Sequence, residues 1–210
     1  MANTNAPFGF RSFGHRDGSA PTMGLERYFI NSSDANPYFT GDPVALSSAT
    51  PGSLQPYFGS SLTPRVAGIF AGCEYYNPSV GRVTWNSYFP GTVSSSSPVT
   101  AYVISDPEMQ FLVQASSAGL GSSNVGANVN ILAAQSSLGN TLSGISVVTI
   151  ASTLALTSAS LSSYPFTIVD VYSNFAPPGA NGVDNSSAYN VMVVVPNNTF
   201  RRAPITGLTT

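Results

Sequence analysis

Side chains suited to covalent or acid–base chemistry are scarce in this chain of 210 residues. It has one histidine, His15, one cysteine, Cys73, and no lysine. A Ser–His–Asp triad would depend on His15, which lies in a glycine-broken segment and not on a rigid element. Neither a G-x-S-x-G nucleophile motif nor the lysine-dependent phosphate-binding loop occurs. The sequence therefore predicts a protein that is not an enzyme.

Carboxylates offer the next route to chemistry. Asp106 and Glu108 lie two residues apart, and paired carboxylates can hydrolyse glycosidic bonds. The favoured interpretation is a turn in which the Asp106 side chain accepts a hydrogen bond from a nearby backbone amide. A bound Ca²⁺ stays an open alternative at three aspartates in separate loops, although no loop has the ligand density of a dedicated site. These aspartates are Asp34, Asp42 and Asp184.

Cys73 lies in the apolar run 65–76, where a buried small hydrophobe is the expected role. A single cysteine can form neither an internal disulfide nor a thiolate metal cluster. We therefore predict no cofactor and no metal.

The charge content limits the possible partners. Charged residues make up 8% of the chain, against roughly 25% in an average soluble domain. The net charge of −2 and the lack of lysine argue against nucleic-acid binding, which needs clustered cations. No apolar run is long enough for a transmembrane helix, and no apolar leader is visible. Such a composition is typical of a protein whose surface is covered in an assembly.

Residues 1–24 combine aromatic and cationic side chains with frequent proline and glycine. Neither a helix nor a strand ladder is expected to propagate through them, yet disordered tails are usually poor in aromatics. We interpret this segment as an extended arm that docks on a partner; an arm folded back on its own domain is the alternative. The predicted partner-binding residues are Phe8, Phe10, Arg11, Phe13 and Arg16 in the arm, and Phe200, Arg201 and Arg202 in the irregular tail 197–210.

Between the arm and the tail, residues 25–196 are predicted to form one β domain. No long amphipathic helix is evident, and turn-forming residues separate short β-prone runs. The fold class is therefore all-β, a sandwich or a barrel. The expected strands are 25–31, 44–46, 65–76, 99–105, 109–115, 127–133, 145–150, 165–173 and 190–195, with 83–89 as a strand or aromatic loop and 47–64 as a surface loop.

Several stretches resemble the head decoration, or cement, proteins of tailed bacteriophages. The opening MANTNAPFGF resembles the family's N-terminal arm, and it is followed by a Tyr-x-Ile strand at 28–30, a Ser-Ser-Asp turn at 32–34 and a Gly-Asp-x-Val segment at 41–44. The run VAGIFAGCEY at 66–75 is similar to a glycine-bearing strand of the family. The run TAYVISDPEMQFLVQ at 100–114 is similar to its Asp-Pro segment, and the last strand also fits.

The resemblance implies a non-enzymatic β protein on the exterior of an icosahedral head, made in the bacterial cytoplasm. Its partners would be the major capsid protein and further copies of itself, as a dimer or trimer. Two alternatives stay open: another virion component, such as a tail or spike-base protein, or a carbohydrate-binding β-sandwich. In the last case Trp85, Tyr88, Tyr75 and Tyr76 would form the stacking platform.

Overall fold

A computed structural model of the chain describes residues 3–20, 24–57, 65–93, 98–116, 120–132, 139–154, 164–172, 188–197 and 199. No helix within these ranges has both the length and the apolar character needed to cross a lipid bilayer.

The described residues form strands joined by turns, with one short 3₁₀ helix at Ser122–Asn124. The strands are β1 (Arg11–His15), β2 (Leu25–Ile30), β3 (Tyr38–Phe39), β4 (Pro43–Leu46), β5 (Leu54–Pro56), β6 (Val66–Asn77), β7 (Arg82–Asn86), β8 (Tyr88–Phe89), β9 (Val99–Ile104), β10 (Met109–Gln114), β11 (Asn128–Ile131), β12 (Gly139–Asn140), β13 (Ile145–Ser146), β14 (Ile150–Leu154), β15 (Phe166–Val171) and β16 (Val191–Pro196).

Two six-stranded antiparallel sheets carry the fold. The first sheet has the order β1-β10-β16-β15-β11-β14. The second has the order β2-β9-β6-β4-β5, with β7 paired to the far half of β6. Two-stranded pairs, β3 with β8 and β12 with β13, complete the described architecture. The all-β prediction is confirmed. Both large sheets are open, so the structure is consistent with a sandwich and not with a closed barrel.

The second sheet is buried on one face and only partly on the other. One hydrophobic cluster lies between the two sheets and joins Phe111 and Phe166 of the first to Ile69 and Ile104 of the second. The other cluster covers the opposite face of the second sheet, where Phe89 of β8 packs with the strand residues. Sequence alternation produces this arrangement because successive side chains point to opposite faces.

Gly68 shows why the long strand β6 carries glycines. A Cβ at this position would collide with the backbone carbonyl of Ile104 on β9. The glycine therefore lets two strands approach more closely than a side chain allows.

Three local predictions were wrong. Residues 11–15 of the arm form β1, and part of the expected loop 47–64 forms β5, in which Leu54 is buried. The expected strand 145–150 is divided between β13 and β14, which belong to different sheets. Its continuity breaks because the Ser146 hydroxyl oxygen accepts a hydrogen bond from the Val148 amide, 3.0 Å away.

Candidate functional site

The arm lies along its own domain over the described residues 3–20. The Phe10 amide donates a hydrogen bond to the Gly41 carbonyl over 2.9 Å. The buried Gln114 side chain accepts from the Ala6 amide (3.0 Å) and donates to the Thr4 carbonyl (2.9 Å). Backbone groups of an otherwise irregular segment are thus satisfied by the domain. Residues 3–20 therefore fold back on their own domain, which was the alternative interpretation of the arm.

Phe10 points inward and belongs to the core. Its ring is 4% exposed and lies 4.5 Å from the ring centre of Phe166 and 6.3 Å from that of Phe111. The preceding Gly9 has a φ of +68°, and a Cβ there would meet the Ser146 Cβ at 2.6 Å. The placement of Phe10 among partner-binding residues is corrected accordingly, because its ring stabilises its own domain.

The other predicted arm residues lie at the surface. Phe13 is 47% exposed and meets the ring of Tyr172 edge-on at 5.7 Å. The Arg11 guanidinium lies 5.4 Å from the ring centre of the half-buried Phe8. Arg16 is exposed beyond the end of β1. These four side chains form what we call the arm surface: Phe8, Arg11, Phe13 and Arg16.

The predicted docking residues of the tail, Phe200, Arg201 and Arg202, lie outside the described residues. The tail begins against the domain, since Asn197 and Thr199 are buried and Thr199 forms a parallel bridge with Val66.

His15 is held between two carboxylates. Its Nδ1 lies 2.6 Å from Oδ1 of Asp17 and its Nε2 lies 3.0 Å from Oδ2 of Asp106. Ionised carboxylates only accept hydrogen bonds, and a protonated imidazole ring can donate to both of them at once. The hydrogen bond with Asp17, opposed by partial burial and supported by Asp106, raises the pKa of His15. In this arrangement neither nitrogen is left to take a proton from a nucleophile.

Asp106 also confirms its predicted turn role, because its Oδ1 accepts the Glu108 amide hydrogen bond over 2.9 Å. The His15–Asp106 pair therefore ties the end of β1 to the turn between β9 and β10.

This pair makes a testable prediction. The NMR titration midpoint of the single histidine is expected above 6.5, and Asp106→Asn should lower it. A raised histidine pKa stabilises the fold below pH 6.5, and that contribution disappears as the pH rises through the folded-state value. The stability difference between the wild type and Asp106→Asn should therefore shrink on the alkaline side. An unchanged midpoint in the variant would contradict the hydrogen bond.

Cys73 is a buried free thiol, as predicted. Burial, followed by the neighbouring Glu74 charge, raises its pKa to about 12. The thiol donates to the Tyr88 carbonyl over 3.6 Å. A protonated, enclosed sulfur has the properties of a packing group and not of a nucleophile.

Asp42 is the most deeply buried carboxylate in the described part of the chain. It is 2% exposed, and its Oδ2 accepts a hydrogen bond from the Phe39 amide over 2.8 Å. Its Oδ1 has no hydrogen-bond partner among the described residues. Burial raises its pKa to about 7, against the lowering effect of hydrogen bonds from Ser146 and Phe39. Where the structure describes the chain, no group of three or more His, Cys, Asp or Glu side chains is placed to hold a metal ion.

The structure separates the aromatic residues that were considered as a sugar platform. Tyr75 is buried, and Tyr88 stacks on Phe39 at 5.7 Å between ring centres. Trp85 and Tyr76 are exposed on one face of the second sheet. Sequence reasoning missed this face as a surface, although the alternation in RVTWN at 82–86 was a usable signal.

Comparisons with protein-family models, with curated proteins and with solved structures found no match to this chain.

Proposed function

We propose that this chain is a structural virion protein that binds the outer surface of a phage head and cements neighbouring major capsid proteins. The observation that carries the proposal is the number of large apolar side chains exposed on a chain with 8% charged residues. A free monomer normally uses charge to keep such surfaces soluble. Coverage by neighbouring subunits accounts for both features.

The arm surface supplies the contact with the capsid protein. Phe13 offers an apolar anchor, while Arg11 and Arg16 offer planar cations that pair with carboxylates or carbonyl groups. Full burial of a phenylalanine contributes about 1.5–3 kcal/mol. A modest affinity for each copy is sufficient, because contacts to several capsid subunits and copies add avidity.

Binding to heads that lack this chain tests the proposal. Purified protein is mixed with such heads, and the bound copies are counted after sedimentation. Combining Phe13→Ala with Arg11→Glu is expected to raise the half-saturating concentration by roughly tenfold to a hundredfold, since about 1.4–3 kcal/mol is lost. The wild type should saturate at a fixed number of copies for each capsid lattice site.

Leu142→Ser is the matched control. Leu142 is 97% exposed in the turn between β12 and β13, so its loss removes a surface hydrophobe elsewhere. It should bind like the wild type. Equal binding by the arm variant and the control would contradict the role of the arm surface, and no binding by the wild type would contradict the function.

Point substitutions are the proper test because the arm is part of the fold. Deletion of residues 1–20, which at first sight should leave a folded domain, would remove β1 and the core ring of Phe10. Loss of binding after such a deletion would therefore report unfolding as readily as loss of a contact.

A further inference from the structure

A second exposed surface lies on the second sheet, on the face that packs against the first sheet farther along. We call it the outer sheet face and define it by six residues: Arg27, Phe29, Glu74, Val83, Trp85 and Tyr102. Residues directly opposite on neighbouring strands point to the same side. The pairs Arg27–Tyr102 and Glu74–Trp85 place four of the six there.

Strand alternation explains why these side chains are not in the core. The intervening residues on the same strands, including Ile30, Ala101 and Cys73, fill the opposite side. Farther along the same face, Ile69 and Ile104 pack against the first sheet. The outer sheet face is therefore the part of this side of the second sheet that the first sheet does not cover.

Trp85 is the central apolar group of this face. Its indole lies over Gly72, where a Cβ would come within 2.7 Å of Cζ2. The glycine lets the ring lie close to the sheet, and the indole is nevertheless 60% exposed. Val83 on the same strand is 63% exposed and Phe29 is 44% exposed. Together these groups make an apolar surface of a kind that marks protein contacts.

The charges of the face are opposite and separated. Arg27 lies on β2 with its guanidinium 5.7 Å from the Tyr102 ring centre, and Glu74 lies on β6. Tyr102 lies on β9, the strand between them. One cation and one anion therefore flank β9, and the face itself has no net charge.

We propose that the outer sheet face pairs with the same face of a second copy of this chain. A two-fold axis that lies in the interface and crosses β9 sets Arg27 of each copy opposite Glu74 of the other. Such an isologous contact requires a self-complementary surface, and the charges on either side of β9 meet that requirement. The inference rests on the proposed function, which needs contacts between neighbouring copies, and identifies the surface that makes them.

The size of the face sets the expected affinity. Four strands at their usual spacing, about six residues long, cover roughly 400 Å². A stable complex buries about 800 Å² on each partner. We therefore expect a weak dimer in solution, with a Kd of roughly 10–1,000 µM, that is strengthened when copies are held side by side on a larger assembly.

A charge exchange tests the pairing on the full-length chain. Arg27→Glu leaves two acidic positions on the face, and Glu74→Arg leaves two basic ones. Each variant alone should associate at least tenfold more weakly than the wild type in sedimentation velocity. An equimolar mixture should recover association, because the acidic face of one copy then meets the basic face of the other. A merely structural role of either residue would not restore association on mixing.

Trp85 provides a second readout because it is the only tryptophan. Its emission should shift to shorter wavelength as the wild-type concentration rises through the dimer Kd. A monomeric wild type with unshifted emission at 1 mM overturns the inference, as does a folded mixture that fails to associate. Saturable binding of a soluble polysaccharide that Trp85→Ala abolishes, with the protein still monomeric, would assign the face to a sugar and also overturn it. In either case head binding through the arm surface is measured separately and can stand.

Discussion

Phe10→Ala is expected to lower the free energy of unfolding by about 3–5 kcal/mol. The ring is buried between Phe111 and Phe166, where it fills space that neighbouring side chains cannot close without moving. The substitution should also loosen the arm, because the Phe10 amide donates a hydrogen bond to the Gly41 carbonyl and β1 begins at the next residue. Chemical denaturation, with an unchanged dependence on denaturant concentration, measures the loss.

The matched control is Phe13→Ala, which removes the same side chain three residues later in the same arm. Its ring is 47% exposed and touches Tyr172 only at an edge, so the expected loss is below about 1 kcal/mol. Equal losses from the two substitutions would contradict the assignment of one ring to the core and the other to the arm surface.

Asp42→Asn is expected to remove most of the pH dependence of stability between about pH 4 and pH 7. Burial raises the pKa of Asp42 from 3.8 to about 7, so the folded state binds a proton that the unfolded state releases. Stability from this group is fully present below pH 3.8 and is lost as the pH rises to about 7. A pKa difference of about three units between the folded and unfolded states corresponds to about 4 kcal/mol in the free energy of unfolding.

Asparagine preserves the acceptor for the Phe39 amide and removes the buried charge. The free energy of unfolding of the variant, relative to that of the wild type, should therefore rise steadily with pH. Above about pH 7 the two curves of stability against pH should run parallel. Asp170→Asn, which removes an exposed carboxylate, is the control for net charge. Parallel curves for the wild type and Asp42→Asn from pH 4 to pH 7 would contradict the raised pKa.

The position of Asp42 links its ionisation to the arm. The adjacent Gly41 carbonyl accepts the hydrogen bond from the Phe10 amide, and Ser146, whose interaction with the carboxylate lowers the pKa of Asp42, packs against Gly9. The destabilising charge at high pH therefore arises where the arm meets the domain. Together with His15 and Asp106 at the other end of β1, two titratable sites hold the arm in place.

The long strands could be predicted from the sequence because their patterns are local. Strand β6 alternates between two faces, and strands β15 and β16 are rich in β-branched residues that suit a pleated surface. Cys73 could be placed in the core from its apolar neighbours, and Asp106 in a turn from the following proline. Each of these inferences needs only a few adjacent residues.

The arm strand and the divided strand could not be predicted in this way. Gly14 argues against a strand in 11–15, and pairing with β10, about a hundred residues away in sequence, stabilises the strand nevertheless. Residues 145–150 are β-branched except for Ser146, and local preference does not tell which sheet each half joins. Tertiary contacts overrode local propensity in both places.

The candidate surfaces, too, could be predicted only in part from local patterns. Aromatic and cationic residues in the arm indicated docking, but their spacing did not reveal that Phe10 turns inward while Phe13 turns outward. Alternation in β2 and β7 was an unused signal for a face with Phe29 and Trp85, but it does not show that the first sheet ends before covering that face. Which side of a sheet is covered depends on distant segments of the chain.

The most direct measurement for the central claim is electron cryomicroscopy of heads lacking this chain after incubation with the purified wild-type protein. We expect additional density on the outer surface that repeats with the capsid lattice and touches the shell through the arm surface. Smooth heads at saturating protein, or density confined to the tail or its base, would contradict it.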